Sequence, residues 1–379
     1  MSRSARLPRA LHPGAWWLWA LGMAAAASRT TNPLLLLLIV AVVSQVVAAR
    51  RTDAPWALGF KTYLYLGLAV IVIRVVFRML LDGQFGAHVL FTLPEVPLPA
   101  AAMGIRLGGP VSAEGLFAAL CDGLRLATLL ICVGAANVLA NPKRLLKAMP
   151  DALHEIGVAV TVALTMAPQL IESGQRVRRA RRLRAEESRR FRVFREIAIP
   201  VMTDALDRSL LLAAAMDSRG YGRRADVPVG ARVATGGLLL AGLMGICIGT
   251  YSLLDGSAPG YLGGPLLVAG TTVGWIGVMV SGRRVPRTRY RPDPWRVEEW
   301  SVTVVGLTVA ALMVVVGSVT PSALLPSIDP LQWPTLAAGP TLAILLGVLP
   351  AWLAPPVEGG AVGRASSPLH RRAALEAAG

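Results

Sequence analysis

The chain has 379 residues, a formal net charge of +16, and 54% hydrophobic against 16% charged residues. Its apolar residues fall in long runs, and a run of ~20 is enough to cross a bilayer as a helix, whereas irregular backbone cannot face lipid. An ordinary soluble domain is excluded, and the sequence predicts an all-α polytopic integral membrane protein.

From the N-terminus, the basic stretch MSRSARLPRA precedes the apolar AWWLWALGMAAAAS. This reads as a first spanning helix, with a cleaved signal as the lesser alternative. About eight spans are predicted in all, at roughly 15–29, 33–49, 62–81, 114–140, 232–255, 262–281, 299–318 and 335–354. Between the third and fourth, residues 82–113 include FTLPEVPLPAAAMGIRLGGP, predicted as a structured loop or partial re-entrant turn. Arg74, Arg78 and Arg125 interrupt apolar runs. Charge at that depth points into the bundle, to water or to the interface. Arg74 and Arg78 lie four apart on one helix face. Snorkelling or pairing with Asp122 or Asp82 is one reading, and a packing surface for another membrane protein is the other.

Arginine and lysine set the orientation. Segments 1–14, 50–61, 141–231, 282–298 and 355–379 hold 3, 3, 17, 6 and 3 basic residues, whereas the opposite segments hold only Arg29 and Arg106. Loops rich in positive charge stay in the cytoplasm, so both termini are predicted there.

Catalytic and cofactor chemistry find no foothold. Cys121, Cys132 and Cys247 lie in apolar runs, and His12, His88, His154 and His370 have no metal-ligand spacing. The only lysines, Lys61, Lys143 and Lys147, follow no glycine loop, so no P-loop is present. No cofactor, metal site or nucleophile–base set is predicted, nor is nucleic-acid binding, since the charge sits beside spans without a recognisable binding motif.

The segment 141–231 carries the functional signal. Pro142 suits a first helical turn, Pro150 interrupts, and Asp151 can cap a new start. An amphipathic helix is predicted to follow, lying under the membrane bundle and ending in ARRLRA, Ala180 to Ala185. A second helix is predicted from near Pro200. Its apolar face is expected to be Val201, Ala205, Leu206, Ser209, Leu210, Ala213 and Met216, with an Asp204–Arg208 ion pair elsewhere. It ends in AMDSRG, Ala215 to Gly220, with Gly220 as terminator. Each motif, Ala-x-x-x-Arg followed by Ala or Gly, puts one arginine, Arg184 or Arg219, at a helix C-terminus among small side chains. Such a tip fits a cleft, and two tips suit a dimeric partner. The predicted division is 1–140 as an N-terminal bundle of about four spans, 141–231 as a cytoplasmic coupling region, 232–354 as about four further spans, and 355–379 as a cytoplasmic tail.

Over about 11–224 the chain resembles the transmembrane T component of energy-coupling factor transporters, vitamin and metal-ion importers related to ABC transporters. The similarity rests on LHPGAWWLWALGMAAAASRTTNPLLLLLIVA, on EGLFAALCDGLRLATLLICVGAANVLANPKRLLKAM and on AMDSRGYG. It implies two coupling helices whose arginine tips, Arg184 and Arg219, dock in grooves of two ABC-type ATPase subunits. It also implies a small membrane substrate-binding S subunit as partner, and a bacterial plasma membrane. Ala185 stands where that family has glycine, which leaves Arg182 or Arg181 as alternatives for the first docking side chain. The different-class alternative is a stand-alone secondary transporter whose basic cytoplasmic loop binds anionic lipid.

Overall fold

A computed structural model of the chain describes residues 9–52, 59–81, 88–97, 106–148, 154–183, 190–220, 228–254, 259–282, 294–327 and 333–356. The first two helices start alike. In α1 (Pro13–Ser28) proline occupies the first turn and His12 Nδ1 accepts from the Gly14 N–H at 3.1 Å. In α2 (Pro33–Arg50) Asn32 Oδ1 accepts from the Leu34 N–H at 3.0 Å. Proline has no N–H to orphan there, and the side-chain acceptor satisfies a donor the helix cannot. These are the His-Pro and Asn-Pro pairs of the sequence.

After α3 (Phe60–Leu81) comes an antiparallel hairpin of β1 (Val89–Pro97) and β2 (Arg106–Ser112). The predicted loop is therefore partly a two-stranded ladder. The shift of pairing between Leu93 and Val96 accommodates Pro94, which cannot donate to a ladder. Ser112 then caps α4 (Ala113–Leu139), its hydroxyl accepting from the Gly115 N–H at 3.2 Å.

The remaining elements are α5 (Pro142–Lys147), α6 (His154–Leu183), α7 (Arg190–Ser218), α8 (Val229–Leu254), α9 (Gly260–Gly282), α10 (Val297–Val319), α11 (Pro321–Leu324), α12 (Ala338–Leu346) and α13 (Pro350–Leu353). The helix expected to start near Pro200 thus begins as α7 at Arg190, ten residues earlier, and holds Pro200 inside it. A proline removes one backbone hydrogen bond, but the helix continues on both sides.

The chain forms two compact units, residues 1–145 with 293–379, and residues 146–292. In the first, the helices made last close the bundle made first. Trp19 and Met23 of α1, Leu36 and Ile39 of α2, Val302 and Val309 of α10, and Ile344 of α12 share a core with no exposed surface. Lipid is as apolar as leucine, so close packing must hold such helices together. At the α1–α10 contact a Cβ on Gly306 would lie 2.5 Å from Trp19 Cα. The Trp19 indole N–H donates to the Gly347 carbonyl at 3.2 Å, where the α12 helix breaks.

Both ends of this bundle are tied. At one, the Thr30 hydroxyl donates to Leu324 O at 2.7 Å and the Asn32 amide to Thr335 O at 2.9 Å. At the other, Arg50 donates to Ala351 O and Pro355 O, and Arg144 to Ala10 O. There the fully buried Glu299 carboxylate pairs with Arg9 and accepts from the His12 N–H at 3.3 Å and the Arg296 N–H at 2.9 Å. The starts of α1 and α10 therefore share a face with the ends of α2, α4 and α13. This is the face that the arginine count assigns to the cytoplasm.

Among the described residues, seven helical stretches are long and apolar enough to span: Pro33–Arg50, Phe60–Leu81, Ala113–Leu139, Ile156–Ala180, Val229–Leu254, Gly263–Gly282 and Val297–Val319. α1 and the apolar Ala338–Leu353 are shorter. The stretch in α6 qualifies by length and composition, although it was expected on the surface. By contrast α7 carries Arg190, Arg192, Arg195, Asp204, Asp207, Arg208 and Asp217. Such a charge load is costly in hydrocarbon, whereas the α6 stretch is apolar and long enough to span.

In the second unit α8 and α9 meet backbone to backbone. A Cβ on Gly242 would be 2.5 Å from Gly274 Cα, and one on Gly270 2.6 Å from the Gly245 carbonyl carbon.

Candidate functional site

The two helices that carry the arginine motifs pair antiparallel. Gln169 of α6 faces Arg208 of α7, with Oε1 accepting from Nη1 at 3.4 Å. One turn along, Asp204 faces Ser173 and Arg176, with the Arg176 guanidinium 3.5 Å from its carboxylate. Asp204 also accepts from Arg208 Nε, four residues on in its own helix, at 3.0 Å. The hydrogen bonds from Arg208 and Ser173, followed by the charges of Arg208 and Arg176, hold the Asp204 carboxyl below its usual range.

This clamp corrects the expected face of α7. The half-buried set is Val201, Asp204, Ala205, Arg208, Leu212 and Met216, while Leu206, Leu210 and Leu211 are 62%, 68% and 72% exposed. Asp204 and Arg208 were placed away from the packing face. They occupy its centre because α6 offers them polar partners at one-turn intervals, and charge-assisted hydrogen bonds are stronger than neutral ones. The sequence signal was there: Gln169, Ser173 and Arg176 recur at helical spacing. Beside the clamp, a cavity of about 350 Å³ opens between Val162, Met166, Leu212 and Met216.

The polar rungs 169/208 and 173/204 are centred near residues 171 and 206. From that level, the last residues of the two helices, Leu183 and Ser218, are each about twelve residues further on, roughly 18 Å at 1.5 Å per residue. They lie in opposite directions, because the helices are antiparallel. The motif tips are thus set at opposite ends of a crossed pair with equal arms.

At the α7 end the helix stops at Ser218, the Arg219 N–H donates to Met216 O at 3.1 Å, and the Gly220 N–H donates to Asp217 O at 2.9 Å. Gly220 has φ 75°, a left-handed conformation that glycine adopts without steric cost. Arg219 and Ala215 are exposed, so a long cation stands clear of its own fold beside a small side chain. At the α6 end Ala180 is exposed and Arg181 and Arg182 belong to the last helical turn. Arg184 and Ala185 lie outside the described residues. Among the described residues no three His, Cys, Asp or Glu side chains gather as a metal site.

Residues 4–229 match the family model described as cobalt transport protein, CbiQ. The match ends at the first residue of α8. A curated relative, the energy-coupling factor transporter transmembrane protein EcfT of Thermanaerovibrio acidaminovorans, is 29% identical over 127 residues, covering 29% of this chain and 47% of the relative. The chain thus spans about half the length of the curated relative it matches.

Proposed function

The chain belongs to the cobalt transport protein family, and on that footing we propose that it is the non-catalytic T component of an energy-coupling factor importer in a bacterial plasma membrane. Arg184 and Arg219 dock in two ABC-type ATPase subunits on the cytoplasmic face, where both chain termini also lie. Ala180, Ala185, Ala215 and Gly220 keep the two tips slim enough to enter a groove, and Arg182 flanks the first. When ATP closes the ATPase pair, both ends of the crossed helices move together, and the clamp at Asp204 keeps them moving as one body. The motion passes to the spanning helices and reorients a small membrane S subunit that holds a vitamin or a metal ion as cargo. A ligand can shift such an equilibrium only by binding its two states unequally, so the tips must contact the open and closed ATPases differently.

What supports this reading above all is the pair of equal, oppositely directed arms ending at the two motifs. A lipid-binding loop has no use for that geometry.

The test is a double variant, Arg184→Glu with Arg219→Glu, inserted in the membrane at wild-type level. ATPase co-purification and substrate uptake are expected to be lost together. Normal uptake by that variant would overturn the reading.

A further inference from the structure

We propose that the α6–α7 pair lies in the plane of the cytoplasmic leaflet and holds a phospholipid acyl chain in the cavity between Met166 and Met216. The choice of leaflet rests on the cytoplasmic placement given above; the face and the cavity are read from the pair itself.

The face follows from helical phase. The packing row of α6 runs through Val162, Met166 and Ser173, and that of α7 through Asp204, Arg208 and Leu212. Just past each row in the chain direction stands an apolar stripe. On α6 it is Ile156, Val160, Leu164 and Ile171, between 38% and 62% exposed. On α7 it is Ile199, Met202, Leu206 and Leu210, between 55% and 68% exposed. Just before each row come polar residues, Thr165 and Glu172 on α6 and Thr203 and Asp207 on α7, all exposed. Leu211 is the large apolar exception on that side. In an antiparallel pair of right-handed helices the two flanks past the packing rows face the same way. The stripes therefore join into one apolar face with a polar face behind it.

The cavity opens on the apolar face. Leu170, Ser209 and Ala213 line it and stand on the apolar side of their rows, while Asp204 and Arg208 line it from the row itself. It holds about 350 Å³ between Val162, Met166, Leu212 and Met216. Methionine adapts its shape to an irregular apolar guest, which suits a flexible unbranched chain.

A lipid is the occupant these features fit. A helix surrounded by acyl chains is apolar all round, whereas this pair is apolar on one face, as helices are that lie about 5–10 Å into the headgroup boundary. Eight residues separate Gly220 from Val229, where the spanning α8 begins, a link that reaches about 30 Å at full extension. Residues 154–220 carry twelve arginines against eight acids, and the cytoplasmic leaflet is the anionic one. Lipid is also the one apolar neighbour that the chain's own spans guarantee.

The experiment uses membranes holding the full chain and its ATPases, supplied with phosphatidylglycerol that bears a diazirine at the end of one acyl chain. After illumination, labelled residues are mapped by mass spectrometry. Label is expected on Met166 and Met216 in the cavity and on Leu164 and Leu206 on the apolar face, at least tenfold above Glu172 and Asp207. Ala213→Phe fills the cavity and is expected to lower the Met166 label at least fivefold while Leu206 keeps its own, which shows that the pair still forms. Equal label on both faces, label confined to the spanning helices, or an undiminished Met166 label in Ala213→Phe overturns the proposal, as does an equal loss at Met166 and Leu206 in that variant. A photoreactive benzoylphenylalanine at position 206 is expected to give a phospholipid product; a product with a second polypeptide overturns the proposal. ATPase co-purification from the same membranes separates the two readings. Its absence beside an intact lipid label overturns the docking of the arginine tips and upholds the acyl-chain site.

Discussion

Asp204 and Arg176 face each other at 3.5 Å across the α6–α7 crossing, and they are the charges that join the two motif-bearing helices there. The carboxyl of Asp204 is held low by Arg208 and Ser173 first and Arg176 last. A lowered folded-state value means the contribution is full above the unfolded carboxyl value, about 3.9, and is lost as pH falls through the folded one. Acidification from pH 7 to 5 is therefore expected to leave the crossing intact, with loosening only below about pH 4. Asp204→Asn is expected to loosen it already at pH 7. Spin-label distances between positions 183 and 218 check both, a broadened distribution marking the loose state.

The register of the first motif can be resolved by two single variants. Arg184→Ala is expected to weaken ATPase retention by ~30-fold or more, the loss of an anchoring side chain worth about 2 kcal/mol. Arg182→Ala is expected to change it by less than about threefold, as a flanking charge does. Titrating purified ATPases against the detergent-solubilised chain reads both values.

Gly220→Ala puts a side chain into the left-handed region at φ 75°. The expected cost is about 1–2 kcal/mol, concentrated at the α7 tip. Faster amide exchange at Arg219 and Gly220, with unchanged exchange at Val201 to Arg208, is the outcome to look for.

Gly306→Val forces apart α1 and α10, since its first added carbon already falls 2.5 Å from Trp19 Cα. Overpacking of this kind costs about 1–3 kcal/mol, and backbone cannot yield as a flexible side chain would. A lower Tm in detergent is expected. Gly236→Val, where an added Cβ meets nothing within 4 Å, should leave Tm unchanged.

Glu299→Ala leaves the His12 and Arg296 amides without their acceptor and Arg9 without its counter-ion. Each orphaned group costs about 1–3 kcal/mol, so with three such groups a loss of at least about 3 kcal/mol is expected. The segment from Arg9 to His12 should come free, and trypsin should then cut after Arg9 in the variant but not in the parent chain.

Most of the apolar helices, their order and the end of α7 at Gly220 were legible because each rests on local pattern: apolar run length and a short motif that closes on a glycine. Three features were not. The α7 start was misplaced because Pro200 reads as a helix boundary, although the helix runs through it. The hairpin at Val89–Ser112 was hidden by its prolines, which mark turns more often than ladders. The packing face of α7 was misassigned because leucine count was weighed above polar complementarity, which only the partner helix reveals. That α10 and α12 complete the bundle of α1 and α2 is a long-range fact with no local signature, and hydropathy is silent on which apolar helix seeks which.

That closure also fixes an order of events on the ribosome. The groove on α1 around Trp19 is filled by Gly306, whose codon is read 287 residues later. At about 5–20 residues per second, roughly 15–60 s of elongation separate the two. For that interval the first helices sit in the membrane as an unfinished barrel stave, their tightest contact surface met only by acyl chains. A premature stop anywhere before α10 thus yields a chain that is inserted but never sealed, a substrate for membrane proteases rather than a smaller working subunit.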